Sequence, residues 1–115
     1  MNTVTIEVAD RRTADARFVQ AMKTGRPAGS FITFPNVQAL WAALTVKRWE
    51  IVQALCGAGP VTLREAARRV GRDVKGVHTD VHALLAAGVL EKTDDGSIVF
   101  PYDAVHVDFM MKAAA

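Results

Sequence analysis

A chain of 115 residues is long enough to bury a hydrophobic core and short enough to form one domain. Half of its residues are hydrophobic and 23% are charged, a composition typical of globular rather than disordered proteins. The formal net charge is only +2, but residues 47–75 carry seven Lys or Arg against three acids, whereas residues 76–115 carry two against six. This basic excess predicts a phosphate-facing surface in the middle of the chain, and a solvated arginine-rich helix face is the alternative.

Several classes of protein are excluded by what the sequence lacks. No apolar run is long enough to cross a bilayer, and the N-terminus has no apolar segment typical of a secretory signal. The single cysteine, Cys56, has no partner for an internal disulfide, so we expect a reducing, cytoplasmic setting. The sequence contains no Gly-rich phosphate loop, nucleophile elbow or paired-carboxylate motif, so we expect neither an enzyme nor a cofactor.

The N-terminal third predicts a strand, a helix and a second strand. Apolar residues alternate with polar ones at the start of the chain, at Val4, Ile6 and Val8. A helix is predicted from about residue 13 to 23, and the Gly- and Pro-containing stretch 25–29 interrupts it. Residues 30–34 then read as a strand. We interpret residues 1–35 as an extension that serves either as a dimerisation element or as simple packing.

Two helices are predicted next, each with its own capping residue. Asn36 is placed to cap the first, and Thr45 the second, which spans residues 46–56. The second helix carries an apolar stripe made of Ile51, Val52 and Leu55. Arg48 precedes this stripe by three, four and seven residues, so its side chain is expected to point partly toward the core. It either pairs with a carboxylate or contacts a phosphate.

Residues 61–90 have the pattern of two short helices joined by a tight turn. Thr62 and Glu65 form a predicted capping box, and Gly71 follows the last apolar position, where a left-handed residue ends many helices. Asp73 is a good cap for the second helix, whose apolar positions are Val74, Val77, Val81, Leu84 and Leu85. This arrangement is the helix-turn-helix pattern, in which the second helix is presented to the DNA major groove.

A hairpin and a last strand complete the chain. Residues 89–92 and 97–100 flank an Asp-Gly turn, which predicts a β-hairpin directly after the second helix, in the position of a wing. Residues 36–103 are therefore interpreted as the DNA-binding domain, and residues 104–115 as a C-terminal strand and tail. That strand is expected to pair with residues 4–8, with residues 30–34 or with a second copy. The predicted fold class is α+β, mainly α with a small β component.

The motifs LTVKRWEIVQAL, GPVTLREAARRVGRDVKGVHTDVHALLAAGVLEK and PYDAVHVDF resemble those of prokaryotic winged helix-turn-helix regulators of the MarR/ArsR-like type, over roughly residues 30–110. The resemblance implies a DNA-binding transcriptional regulator. Some members of the group resemble antitoxins, which implies an alternative function: binding a protein toxin and autoregulating the operon. The chain departs from the group at Gly76 and Thr79, where the pattern has Asn and Arg.

The candidate DNA contacts fall into two sets. The base-reading set lies on the outward face of the second helix: Lys75, Gly76, His78, Thr79 and His82. The phosphate-contacting set is made of cations: Arg64, Arg68, Arg69, Arg72, Lys92, Lys47 and Arg48. Double-stranded DNA and a second copy of the chain are the expected partners, since helix-turn-helix dimers bind near-palindromic sites.

His78 and His82 also have the i, i+4 spacing of metal ligands on a helix. No Cys or Glu near them in the sequence completes a ligand set, so we expect no metal site. A third hypothesis, a ligand or metal sensor that releases DNA on binding, rests on these two histidines and Cys56 alone. Asp80 lies within the same helix and would repel DNA if it pointed at the groove, so we expect it to form a salt bridge instead, either within the helix turn or across to an arginine.

Overall fold

The chain has a mixed α+β fold. The computed structural model describes residues 2–25 and 29–113, so residues 26–28 of the predicted connector and the last two residues of the alanine tail lie outside it. The described elements, in chain order, are β1 (Thr3–Val8), α1 (Arg11–Thr24), β2 (Ser30–Phe34), α2 (Val37–Ala43), α3 (Val46–Leu55), α4 (Leu63–Val70), α5 (Val74–Ala86), β3 (Glu91–Lys92), β4 (Ile98–Val99) and β5 (Ala104–Asp108).

The N-terminal and C-terminal strands form one parallel sheet in the order β2-β1-β5. Of the three pairings open to the last strand, it adopts the one with β1, in a register that places Val105 beside Val4 and Val107 beside Ile6. Val4 and Ile6 are fully buried, as the alternating pattern predicts. The two predicted terminal segments, residues 1–35 and 104–115, are therefore joined by backbone pairing.

On the opposite face of the sheet, Glu7 is only 8% exposed. Its carboxylate accepts hydrogen bonds from Arg17 Nη2 at 2.8 Å and from Thr33 Oγ1 at 3.0 Å. Helix α1 begins two residues earlier than predicted because the Asp10 carboxylate accepts from the Thr13 amide and caps it. None of its described residues is buried, and Arg17 contacts the sheet both through Glu7 and through the Phe31 ring, whose centroid lies 3.9 Å from the guanidinium carbon.

One continuous hydrophobic core joins the sheet to α2–α5 and to the hairpin formed by β3 and β4. The predicted caps Asn36 and Thr45 accept backbone hydrogen bonds from Ala39 and Arg48. Ile51, Val52 and Leu55 of α3 are buried, as their spacing predicts. Within the described part of the chain, no helix combines the length and the apolar character needed to cross a membrane.

Candidate nucleic-acid interface

Helices α3, α4 and α5 pack against one another, and the connection between the last two is a tight turn. The Thr62 hydroxyl accepts from the Glu65 amide at 3.1 Å, so the first half of the predicted capping box is confirmed. The Glu65 carboxylate, which would form the second half, binds arginines instead. Gly71 has a φ of +69° and ends α4, as predicted. The Asp73 carboxylate accepts from the Gly76 amide at 2.8 Å and begins α5.

The inward face of α5 is formed by Val77, Val81 and Leu84, all of which are buried. Val74 was predicted to face the core with them, and this prediction is wrong, since its side chain is 41% exposed. Val74 is the first residue of the helix, where neither the preceding turn nor a neighbouring helix covers it.

The outward face of α5 carries most of the predicted base-reading set. The exposed members are Lys75, His78, Thr79 and His82. Gly76 is partly covered: a Cβ at this position would lie 3.1 Å from Asp73 Oδ1 and 3.3 Å from Arg72 Nη2. Of the five predicted base-reading residues, four therefore have a side chain available for contact with a ligand on this face.

The hairpin is anchored directly to the strand residue that precedes α4. Val61 and Ile98 exchange backbone hydrogen bonds of 2.9 and 2.8 Å and so form an isolated antiparallel bridge. In the turn, Asp95 accepts from the Thr93 hydroxyl and from the Ser97 amide, and these bonds lower the pKa of its carboxyl. Asp95 is thus hydrogen-bonded within the turn, and Lys92 on β3 is exposed.

Asp80 joins three elements of the interface. Its carboxylate accepts from Arg48 Nε of α3 at 3.0 Å and from Arg72 Nη2 of the turn at 2.8 Å. Burial raises the pKa of the Asp80 carboxyl, but the hydrogen bonds from the two arginines outweigh burial and lower it overall. The predicted pairing of Arg48 with a carboxylate, and of Asp80 with an arginine, is confirmed. Two of the seven predicted phosphate contacts are thus half-buried and already paired.

Glu65 pairs with two further members of the phosphate set. It accepts from Arg68 Nε at 2.8 Å and from Arg69 Nε at 3.0 Å. Hydrogen bonds from Arg68 and then from Arg69 lower the pKa of Glu65 to about 2. The two guanidinium groups share one negative charge, so together they present a net charge of +1 to a ligand.

The remaining predicted cations carry no ion pair to any described residue. They are exposed and lie at the start of α3, on α4, on α5 and on the hairpin: Lys47, Arg64, Lys75 and Lys92. Lys92 shares a cleft with His78 and His82. Lys47 is in the first turn of α3, beside Arg48 and away from this cleft.

His78 and His82 come together on the outward face of α5. Their Nε2 atoms are 2.9 Å apart and their ring centroids 4.1 Å apart. No cluster of three or more His, Cys, Asp or Glu side chains suited to a metal ion is found among residues 2–25 and 29–113. Cys56 lies elsewhere, half-buried, with its thiol donating to the Tyr102 carbonyl oxygen at 3.5 Å.

One surface was not anticipated from the sequence. An apolar groove of about 430 Å³ lies between α2, α3 and β5, and its lining includes Trp41, Val46, Trp49 and Val107. The alternation of Val105 and Val107 indicated a strand with one apolar face. No pattern in the neighbouring sequence indicated that the apolar face of this strand is left uncovered by the hydrophobic core at Val107.

Residues 43–107 match the model of the HVO_A0114 family. This match spans α3, α4, α5, the hairpin and most of β5. No curated protein and no solved structure matches the chain.

Proposed function

The chain belongs to the HVO_A0114 family, and we propose that it is a DNA-binding transcriptional regulator built on a winged helix-turn-helix. One observation carries the proposal: α5 has a buried inward face and an outward face of cationic and hydrogen-bonding side chains, next to a hairpin that bears an exposed lysine. In this interpretation α5 is the recognition helix and the hairpin is the wing.

The outward face of α5 has the chemistry that base recognition requires. The Lys75 ammonium can donate to guanine O6 or N7, and the Thr79 methyl can contact a thymine methyl. His78 and His82 add ring nitrogens that either donate or accept. No acidic side chain belongs to this exposed set, because the nearest acid on the helix, Asp80, is turned toward Arg48 and Arg72.

We expect the contribution of each cation to phosphate binding to depend on whether it already pairs with an acidic side chain. Arg64, Lys75 and Lys92 have no acidic partner among the described residues and should contribute most. Arg68 and Arg69 share Glu65 and should contribute less. Arg48 and Arg72 position α5 through Asp80 rather than face the DNA. The Lys47 contact stays a prediction.

We propose that the regulator acts as a homodimer, which would bind half-sites about 34 Å or a multiple of that apart. Exposed apolar side chains on α1 favour a protein contact there, since Phe18 is 65% and Met22 is 70% exposed, four residues apart on the helix. Replacing both with glutamate should yield a monomer by light scattering if α1 forms the dimer contact.

The same exposed apolar surface supports the second candidate function, an antitoxin that covers a protein toxin. Removing residues 1–29 would delete β1, the central strand of the sheet, so a truncation does not test this function cleanly. Point substitutions at Phe18 and Met22 preserve β1. Loss of a co-purifying toxin in these variants, with DNA binding intact, would favour the antitoxin.

The test of DNA binding is fluorescence anisotropy with DNA from the upstream region of the gene, over a series of salt concentrations. We expect binding that weakens with salt, because each contacted phosphate releases counterions. Arg64→Ala should weaken binding to all sequences and reduce the salt slope by about one. Lys75→Ala should change the sequence preference as well, and Lys23→Ala on α1 should leave binding unchanged. Absence of binding at low salt by the folded protein would refute the proposal.

A further inference from the structure

We infer that His78 and His82 form a two-nitrogen chelate for a divalent late transition metal, Cu²⁺ or Ni²⁺. The spacing of the two residues alone predicts no site, since a pair of surface histidines is common and no third ligand is evident. The structure adds the convergence of the two ring nitrogens, and that geometry points to a particular class of metal.

The separation of the two Nε2 atoms matches two adjacent ligands of a square-planar or octahedral metal. Nitrogens bound at about 2.05 Å with a 90° angle between the bonds lie about 2.9 Å apart, whereas a tetrahedral angle places them about 3.3 Å apart. The observed separation is 2.9 Å. Tetragonal Cu²⁺ and Ni²⁺ therefore fit the pair as it stands, and tetrahedral Zn²⁺ requires the rings to separate.

The orientation of the rings is also compatible with chelation. Two rings pointing straight at each other would have centroids much farther apart than their Nε2 atoms, because each ring adds its own half-width. The centroids are only 4.1 Å apart and the ring planes are inclined by 53°, so the rings do not form a straight N–H···N bond. With the proton on Nδ1 of each neutral ring, both Nε2 lone pairs are available to a metal.

The surroundings leave the other coordination positions to water. Both histidines are exposed, and the cleft that they line is otherwise formed mainly by apolar side chains: Leu63, Val81, Leu85 and Ile98. Lys92 also lines the cleft, and its ammonium has no lone pair to offer. The inference does not depend on DNA binding, and its test is made without DNA.

The experiment is a calorimetric titration of the full chain with NiCl₂ in a neutral buffer free of chelators. Ni²⁺ is the probe because, unlike Cu²⁺, it does not oxidise the free thiol of Cys56. We expect one Ni²⁺ per chain, bound at least about tenfold more tightly than by H78Q or H82Q. H106Q is the matched control, because His106 is the one other histidine and lies on β5. It should bind Ni²⁺ as the wild type does.

Thermal unfolding gives an independent measurement. Ni²⁺ should raise the unfolding midpoint of the wild type and of H106Q, because it binds the folded helix, and should leave H78Q and H82Q unchanged. Equal affinity of wild type and H82Q, or neither heat nor a midpoint shift in the wild type, would overturn the inference. Tighter binding of Zn²⁺ than of Ni²⁺ would overturn the assigned metal class.

Discussion

Replacing Asp80 with asparagine should destabilise the protein without unfolding it. Asp80 accepts one charge-assisted hydrogen bond from each of two arginines that are 22% exposed, and is itself 15% exposed. Asparagine keeps the shape of the side chain but removes the charge and turns an amide N–H₂ toward a guanidinium. Arg48 also donates to the Ala42 carbonyl oxygen, so it stays in place and loses only its ionic partner.

The expected cost follows from the partial burial of this cluster. Breaking a fully buried ion pair costs about 3–5 kcal/mol, and an exposed pair contributes about 0–1 kcal/mol. For Asp80→Asn we expect about 2–3 kcal/mol, since two bonds are weakened at intermediate burial. A domain of this size has about 5–15 kcal/mol of stability, so the variant should remain folded at room temperature.

The assay is urea unfolding followed by circular dichroism, with Asp94→Asn as the control. Asp94 is exposed on the hairpin turn and has no ion pair among the described residues, so its replacement should change stability by less than about 0.5 kcal/mol. Because the folded-state pKa of Asp80 is lowered, its contribution is present above the unfolded-state pKa and is lost as the pH falls through the folded value. The gap between wild type and Asp80→Asn should therefore narrow at acid pH. Equal stabilities of the two variants at neutral pH would refute the role given to Asp80.

The remaining predictions concern α4 and Gly71, the residue that ends it. Glu65→Gln should release Arg68 and Arg69 from their shared carboxylate. In anisotropy titrations the DNA affinity should rise and the salt slope should steepen by about one. An unchanged slope would show that Glu65 does not reduce the charge that the two arginines present to DNA. The ionic contribution of Glu65 to folding is present above its unfolded-state pKa and disappears as the pH falls toward about 2, so unfolding curves of wild type and Glu65→Gln should converge there. Gly71→Ala should cost about 1 kcal/mol in urea unfolding because φ is +69° while the added Cβ meets nothing, and Gly71→Asn should cost less. Equal costs for Ala and Asn would show that the left-handed backbone is not the cause.

Local interactions are the part of this fold that the sequence predicts well. The capping residues Asn36, Thr45, Thr62 and Asp73 each bind an amide three residues ahead, so their role is set within one turn of chain. The left-handed Gly71 is likewise a local requirement.

Contacts between residues far apart in the chain were harder to predict from the sequence. Arg48 was expected to need either a carboxylate or a phosphate, but only the packing of α3 against α5 brings Asp80, 32 residues away, within reach. The last strand had three possible partners, and its pairing with β1 depends on the course of the whole chain. Val74 fits the apolar periodicity of α5, yet no neighbouring element covers the helix start.

The convergence of His78 and His82 could be predicted only in part. Their spacing was evident in the sequence, but the 2.9 Å between Nε2 atoms depends on side-chain rotamers that spacing does not determine.

The proposed DNA interface consists of the outward face of α5 together with α4 and the hairpin. Amide chemical-shift mapping by NMR, with the isotope-labelled chain titrated with upstream DNA, tests it most directly. We expect the largest shifts in residues 63–82 and 92–97, with those of α1 and the parallel sheet nearly unchanged. Shifts centred on α1 or on the groove beside Trp41, with those of α5 unchanged, would contradict it.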